Sequence, residues 1–350
     1  MARKLLWAAL ALAPITFLAD FAFHAGAVLL FVLAALALVP LAWLIGDSTE
    51  HAAEHTGPGI GGFLNASFGN APELIIALIA VADSLPNVVR GSLAGSVISN
   101  LLLVLGIALV LGGDDRPLDR HSLLLQLALV ALALALFAAP SIAGWHGNPE
   151  RHSLAVLTTP LAVLLLLVYV VVQSAQLRRF RQAHAERGRE ADASAWPLPR
   201  ALLALALATA GTALTSEILV HSLRGFAKAA GLSQFFISIV IVAVVGNAAE
   251  HGGAIVIARR GKMRLATEIA VSSSAQVALF VIPTVALLSW AVKPALPLAF
   301  RWEELAAMAG ATLAAALVLQ RGRTLRWQGL VLVSLYVALA VAYGFAGERT

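Results

Sequence analysis

The sequence predicts an all-α integral membrane protein of eleven transmembrane helices, with one leading helix followed by two inverted five-helix repeats. Three observations lead to this fold class. The chain is 60% hydrophobic and only 12% charged. It contains repeated apolar stretches of about 20 residues, the length that a helix needs to span a bilayer, whereas a spanning strand needs only about ten. A Gly-Asn-Ala-x-Glu string also occurs twice, at residues 69–73 and 246–250.

Composition narrows the chemistry further. The chain has no cysteine, which excludes disulfides and thiolate metal sites. Its isoelectric point is about 10.1. In a membrane protein, basic residues report first on topology, so this value does not indicate nucleic-acid binding.

The first span begins at the N-terminus, where a basic start followed by an apolar run resembles a signal peptide. We interpret this stretch as a transmembrane helix. The predicted spans are residues 5–22, 27–45, 60–82, 88–112, 121–140, 152–176, 199–221, 235–258, 264–289, 299–319 and 325–346.

The basic residues orient these spans. With the N-terminus in the cytoplasm, the inside segments carry 17 Lys and Arg and the outside segments carry 7. Positive residues favour the cytoplasmic side, so the sequence predicts a multi-pass protein of a bacterial-type inner membrane, with its N-terminus inside and its C-terminus outside. The longest polar stretch, residues 177–198, is predicted to be a solvated cytoplasmic linker near anionic lipid headgroups.

The two Gly-Asn-Ala-x-Glu strings lie 177 residues apart, in the third and eighth predicted spans. This spacing pairs spans 2–6 with spans 7–11. Because each repeat has an odd number of helices, the two repeats must insert in opposite orientations. Inverted repeats with interrupted helices are typical of secondary transporters, whose ion site lies at the repeat interface. The predicted units are a leading helix (1–26), a first repeat (27–176), the linker (177–198) and a second repeat with a short tail (199–350).

Each string places a carboxylate within an apolar span. An ionised carboxylate costs at least about 2.5 kcal/mol in the bilayer core, so it must face a cavity, pair with a cation or take a proton. Gly69 and Pro72 weaken the helix around Glu73 and can free backbone carbonyls. Carbonyl, amide and carboxylate oxygens are the ligands of a hard cation such as Ca²⁺. A single Asn–Glu pair could simply join two helices, but two copies in inverted repeats favour an ion site.

Polar residues also mark the helix that follows each string. Ser96 lies 23 residues after Glu73, and Ser273 lies 23 residues after Glu250. Small residues alone can serve helix packing, but the shared offset favours a site. Asn100 and Gln276 also favour a site, because long amide side chains are costly in lipid.

The paired segments "GNAPELIIALIA" with "GSLAGSVISNLLLVLG", and "IVAVVGNAAEHGGAIVIA" with "EIAVSSSAQVALFVIP", resemble the cation/H⁺ exchanger family, the calcium/proton branch of the cation/calcium antiporter superfamily. The resemblance covers about residues 5–346. It implies an eleven-helix antiporter in which protons and Ca²⁺ compete for the same two carboxylates. The residues that it implies for the cation site are Glu73 and Glu250, assisted by the Gly69 and Gly246 carbonyls, Asn70, Asn247, Ser96, Ser273 and Gln276.

A further polar string, "DSTEHAAEH", precedes the third span. It contains His51-x-x-Glu54-His55, which matches an inverted zinc-peptidase motif and leaves a membrane zinc peptidase as an alternative of another class. The repeat favours a different interpretation, because Ser48-Thr49-Glu50 has a counterpart at residues 215–217. Glu50, Glu54 and Glu217 are therefore predicted to line a cytoplasmic vestibule. With no Lys or Arg expected nearby, this acidic mouth would concentrate cations.

His251 follows Glu250 directly, whereas Leu74 occupies the matching position of the first repeat. The sequence leaves two roles open for His251: a proton relay beside Glu73 and Glu250, or a packed core histidine.

Together these features predict a secondary antiporter, not an enzyme, which exports Ca²⁺ from the cytoplasm in exchange for H⁺ by alternating access. A sodium- or potassium-coupled cation/calcium exchanger is the main alternative. No cofactor and no nucleic-acid partner are expected. Membrane lipid surrounds the chain, and the sequence leaves its oligomeric state open.

Overall fold

The computed structural model describes residues 2–145, 152–185 and 196–345, and these residues form an all-helical protein. Part of the predicted linker, residues 186–195, and the C-terminal tail, residues 346–350, lie outside the described residues. The first half contains α1 (Ala2–Ala9), α2 (Leu12–Phe21), α3 (Ala27–Phe68), α4 (Ala71–Ala82), α5 (Pro86–Ile98), a π-helical segment π1 (Ser99–Val104), α6 (Leu105–Gly112), α7 (Arg120–Trp145) and α8 (His152–Ala185).

The second half follows a similar order. It contains α9 (Leu198–Ala230), α10 (Gln234–Phe236), π2 (Ile237–Val242), α11 (Ala243–Gly246), α12 (Ala248–Arg259), α13 (Met263–Gln276), π3 (Val277–Val281), α14 (Ile282–Val292), α15 (Trp302–Leu319) and α16 (Arg326–Phe345).

Within the described ranges, nine helices are long and apolar enough to cross a membrane, or ten if the bent pair formed by residues 234–246 and 248–259 counts as one span. The protein is therefore a multi-pass membrane protein. The count differs from the predicted eleven at the third span, residues 60–82. The first nine residues of that span, 60–68, belong to α3, and α4 alone has only 12 residues.

The leading span is helical but interrupted. Its two parts, α1 and α2, meet at Leu10 and Ala11. Pro14 explains the interruption, because proline has no N–H to donate to the Leu10 carbonyl four residues earlier.

The predicted loop at residues 46–59 is wrong, because this stretch lies inside the 42-residue helix α3. Ser48 and Thr49 are fully buried, and the Thr49 hydroxyl donates to the Ile45 carbonyl at 2.7 Å. The number of residues available between matching positions gives a physical reason why the first half has no loop here. Only 23 residues separate Glu50 from Glu73, whereas 33 separate Glu217 from Glu250.

The second half of the chain uses the additional residues between Glu217 and Glu250 for a turn. Helix α9 ends at Gly231, which has a left-handed φ of 66° that favours glycine. Ser233 then caps the next helix by accepting a hydrogen bond from the Phe236 amide at 3.0 Å. The first half of the chain, which has fewer residues between Glu50 and Glu73, continues as helix α3 as far as Phe68.

Close contact between the two halves of the chain depends on Gly91 and Gly95 of α5, which face π2. A methyl group added at Gly91 would lie 3.1 Å from Ser238 Cβ. At Gly95 it would overlap the Ile239 carbonyl oxygen and lie 2.7 Å from Ala243 Cβ. Glycines at this spacing let two helix backbones approach closely in a membrane.

Replacement of Gly95 by alanine is expected to lower thermal stability in detergent, at a cost of about 1–3 kcal/mol for overpacking. Gly310→Ala is the matched control, because nothing lies within 4 Å of a methyl group at that helical glycine. Thermal unfolding of both purified variants measures the difference. Equal stability of Gly95→Ala and the parent protein would contradict the close α5–π2 contact.

Candidate ion-binding site

Two helix breaks form the centre of the molecule. Asn70 separates α3 from α4 with φ −98° and ψ 12°, and Asn247 separates α11 from α12 with φ −90° and ψ 9°. At the second break the helix axis bends by 61°. Pro72 helps to open the first break by removing a backbone donor, but Ala249 occupies the matching position of the second. Proline is therefore not required for this geometry.

Each break presents a glutamate in the first turn of the helix that follows. Glu73 lies in the first turn of α4, and Glu250 lies in the first turn of α12. The N-terminal end of a helix carries partial positive charge, which favours a carboxylate there. Glu73 is 6% exposed, and Glu250 is half-buried.

The glutamates meet across the two halves of the chain. A methyl group added at Gly246 would lie 3.5 Å from Glu73 Cγ, so the Glu73 side chain packs directly against the second break. Gly246 directly precedes the second break, so the Glu73 side chain lies beside the segment that positions Glu250. Among the described residues, neither Glu73 carboxylate oxygen accepts a side-chain hydrogen bond, although both are buried. A buried anion in this setting calls for a cation or a proton.

The two asparagines connect the halves. Asn70 Nδ2 donates to Gln276 Oε1 at 2.8 Å, and Asn247 Nδ2 donates to Ser96 Oγ at 2.7 Å. Asn247 Nδ2 also donates to the Ala243 carbonyl at 2.9 Å. Each of the two asparagines therefore contacts a predicted site residue in the other half of the chain.

Among the described residues, a chain of side-chain hydrogen bonds reaches Glu250, and no such chain reaches the Glu73 carboxylate. The Ser273 hydroxyl donates to Glu250 Oε2, and Asn100 Nδ2 donates to Ser273 Oγ at 2.8 Å. His251 Nε2 lies 2.9 Å from Asn100 Oδ1. Because Asn100 Oδ1 can only accept, His251 is the donor of this contact. The offset of 23 residues thus corresponds to a contact for Ser273 and Glu250, whereas Ser96 bonds to Asn247 instead.

Two π-helical segments lie beside these residues. Asn100 lies in π1, which begins three residues after Ser96, and π3 begins directly after Gln276. Such segments occur frequently at functional sites. The side-chain pattern predicted neither of them, because an apolar run does not encode one additional residue per turn.

The predicted vestibule residues are exposed but do not share one vestibule. Helix α9 packs antiparallel to α3, with Gly225 against Ala27, and Glu217 therefore lies toward the other end of α3 from Glu50 and Glu54. Glu50 and Glu54 on α3 are exposed, and so is Glu217 on α9. The expected absence of basic residues is wrong, because Arg3 Nη2 lies 3.1 Å from Asp47 Oδ2. The sequence could not show that the leading helix lies against this part of α3.

The two histidines of the peptidase-like string contact the end of the linker. His51 stacks on Trp196 with ring centroids 4.6 Å apart, and His55 Nε2 lies 2.6 Å from the Trp196 carbonyl oxygen. Among the described residues, no group of three or more His, Asp or Glu side chains could hold a metal ion. The zinc-peptidase alternative therefore gains no support.

Sequence reasoning passed over two buried charges. Arg90 is 3% exposed on α5, and Glu304 is fully buried on α15. Arg90 Nη2 donates to Asn87 Oδ1 at 3.1 Å, and Glu304 Oε2 accepts from the Arg301 amide at 2.8 Å. Both residues fall inside predicted spans, and a charge in that position is itself the signal that could have identified them.

The donor set at the breaks fits a hard cation. It consists of two carboxylates with neighbouring amide, hydroxyl and carbonyl oxygens, which is the ligand chemistry of Ca²⁺. No thiol exists in the chain, and the imidazole of His251 is engaged by Asn100.

Comparison with known proteins agrees with this chemistry. The chain matches the family model for sodium/calcium exchanger protein over residues 26–177 and 200–344. It is 35% identical to the Ca²⁺/H⁺ antiporter ChaA of Bacillus subtilis, over 91% of this chain and 93% of the relative. It is also 35% identical to vacuolar cation/proton exchanger 1a of Oryza sativa, over 91% of this chain and 75% of the relative.

A solved structure is also similar to this chain over almost its whole length. The structure of native YfkE matches with a TM-score of 0.82 and 30% identity, over 97% of this chain and 99% of that one. The resemblance to the cation/H⁺ exchangers is thereby confirmed, and the chain belongs to the sodium/calcium exchanger protein family.

Proposed function

We propose that this protein is a Ca²⁺/H⁺ antiporter that exports Ca²⁺ from the cytoplasm across a bacterial-type inner membrane. The observation that carries the proposal is the convergence of Glu73 and Glu250 from two helix breaks onto one oxygen-rich centre. The similarity to an antiporter named for Ca²⁺ and H⁺ along almost its whole length supports this choice of ions.

Charge balance explains how the two fluxes couple. Two carboxylates neutralise one Ca²⁺, and two protons neutralise the same two carboxylates. Either loaded state can pass the low-dielectric barrier of the membrane, whereas the empty dianion is strongly disfavoured. An exchanger that changes its access side only when neutral must return with protons after it releases Ca²⁺.

The site residues have separable proposed roles. Glu73 and Glu250 hold both ions, and Asn70, Asn247 and the Gly69 and Gly246 carbonyls complete the cation shell. Ser273 and Asn100 orient the Glu250 carboxylate, which follows from their hydrogen bonds. Ser96 and Gln276 hold the two asparagines across the repeat interface. His251 supports this network through Asn100, and a relay role for it is tested below by His251→Ala.

The architecture that we propose keeps eleven spans, with the last part of α3 and all of α4 forming one broken span. This assignment makes the first half match the second, where residues 234–259 form the broken span. The nearly equal backbone angles at Asn70 and Asn247 support the repeat relation. The excess of Lys and Arg on one side supports a cytoplasmic N-terminus.

Transport by the purified protein in liposomes tests the proposal. An imposed pH gradient should drive calcium-45 uptake in sodium- and potassium-free buffer, and dissipation of the gradient should stop it. Uptake that requires a sodium or potassium gradient instead would favour the alternative exchanger. Glu50 and Glu54 are proposed to line the cytoplasmic entrance, and their combined neutralisation should raise the half-saturating Ca²⁺ concentration at low salt.

Replacement of both His51 and His55 by alanine is expected to leave transport within a few-fold of the parent. Both histidines contact Trp196 and neither reaches the two glutamates. Calcium-45 uptake and bound zinc are the two measurements. Stoichiometric zinc that is lost from this variant together with a hydrolytic activity would instead support a peptidase.

A further inference from the structure

A surface groove of about 620 Å³ lies where the segment before α7 meets the start of α13. Residues 116–120 form one wall, and residues 261–265 with Glu268 form the other. Both segments lie at the ends of transmembrane helices, on the side that the distribution of Lys and Arg assigns to the cytoplasm. The groove is therefore at the level of the lipid headgroups.

The groove has more positive than negative charge. Arg264 engages both of its carboxylates: Nη2 lies 2.5 Å from Asp119 Oδ2, and Nε lies 3.5 Å from Glu268 Oε1. Among the described residues, the remaining cations of the groove, Arg116, Arg120 and Lys262, form no ion pair. Nearby Asp114 and Asp115 are already engaged by Arg326 and Arg323. Three positive side chains thus remain available to an anion.

Two helices add to this field. The 26-residue helix α7 and the 14-residue helix α13 both begin at the groove. Their N-terminal ends contribute partial positive charge to the same space. One α7 amide is already satisfied, because Ser122 N donates to Asp119 Oδ1 at 3.2 Å.

A second, apolar groove of about 650 Å³ lies between α7 and α15. Arg120 lies at the N-terminal end of the α7 face that lines this apolar groove. Leu124, Leu127 and Ala131 of that face follow Arg120 by four, seven and eleven residues, so all four lie on one side of the helix. From Leu124 to Ala138 the groove is about 21 Å long. The only hydroxyl among its lining residues, that of Thr312, donates to the Met308 carbonyl instead.

We propose that these two grooves, which the same face of α7 lines, together bind one anionic phospholipid of the cytoplasmic leaflet. Arg116, Arg120 and Lys262 contact the headgroup phosphate, and an acyl chain lies along α7 toward the bilayer centre. Charge complementarity selects the anionic headgroup. The apolar groove selects a lipid over free phosphate, and the cationic mouth selects a lipid over a second copy of this basic chain. The proposal does not depend on which ions the protein exchanges.

Lipid titration of the detergent-purified full chain, followed by native mass spectrometry, tests the proposal. Dioleoyl phosphatidylglycerol is expected to bind at least about tenfold more tightly than dioleoyl phosphatidylcholine. The triple variant Arg116→Gln, Arg120→Gln and Lys262→Gln should lose this preference. The matched triple variant Arg259→Gln, Arg260→Gln and Arg321→Gln removes three exposed cations of the same predicted side outside the groove, and should keep it.

A second pair of variants distinguishes the sources of phosphate. Ala131→Trp fills the apolar groove and should weaken phosphatidylglycerol binding, whereas Leu132→Trp, on an exposed neighbouring face, should not. Competition by inorganic phosphate with no effect of Ala131→Trp would show a free-phosphate site and overturn the lipid assignment. Equal binding of both lipids by the parent chain, or a dimer that Ala131→Trp dissociates, would also overturn it.

Discussion

Replacement of Glu73 or Glu250 by glutamine is expected to abolish Ca²⁺/H⁺ exchange and leave the protein folded. Glutamine has nearly the same shape but cannot ionise, so the site loses one of its two negative charges. Removing one partner of a buried charge interaction costs about 2–5 kcal/mol, which corresponds to a loss of roughly thirty- to several-thousand-fold in Ca²⁺ affinity. A singly charged site also cannot neutralise Ca²⁺, so the loaded state should no longer change its access side.

The structure explains why folding should survive both changes. In Glu250→Gln, the Ser273 hydroxyl can still donate to the remaining carbonyl oxygen of the side chain. In Glu73→Gln, a buried charge is replaced by a neutral amide, which removes a desolvation cost.

Liposome uptake of calcium-45 under a pH gradient measures the loss, and circular dichroism with size-exclusion chromatography reports the fold. Glu303→Gln is the matched control, because this exposed glutamate lies at the start of α15. Its uptake should equal that of the parent. Normal exchange by either site variant would remove the basis for the two-carboxylate mechanism.

Apparent Ca²⁺ affinity is expected to fall as the pH is lowered, with the same maximum rate at saturating Ca²⁺. A carboxylate binds Ca²⁺ only when it is deprotonated, so each proton held by the empty pair must leave before the ion can bind. In the fully protonated limit, affinity should fall about tenfold per pH unit for each proton displaced. We expect the pair to titrate as a unit, because Glu73 packs against the break that precedes Glu250.

Calcium-45 binding to the purified protein between pH 5 and pH 8 measures the affinity, and calcium-45 uptake into liposomes at saturating Ca²⁺ over the same range measures the maximum rate. A separate proton site at His251 or His221 predicts a different result, in which acid lowers the maximum rate even at saturating Ca²⁺. His221 has a carboxylate partner at the surface, because its Nε2 lies 3.2 Å from Asp83 Oδ2. His251→Ala and His221→Ala should retain the pH dependence of affinity if the carboxylates carry the protons. An affinity that is flat across this pH range would contradict the shared site.

The membrane class and the two glutamates follow from the sequence alone, for a local reason. Apolar stretches of spanning length are visible in any window of the chain, and a carboxylate inside such a stretch is conspicuous because it is costly there. Repetition of Gly-Asn-Ala-x-Glu then links two positions that are 177 residues apart without any knowledge of the fold. The same information indicates the asparagines, because each is part of the repeated string.

Only the tertiary structure decides which side chains meet and where helices continue. The sequence treats Ser96 and Ser273 as equivalent, but Ser273 bonds to Glu250 while Ser96 bonds to Asn247. Helix α3 runs through a stretch that its polarity marks as a loop, and Arg3 reaches Asp47 from the leading helix. Polarity records the cost of placing a residue in lipid or water. The contacts of a buried side chain instead depend on packing between helices that are distant in sequence, and no local pattern encodes that arrangement.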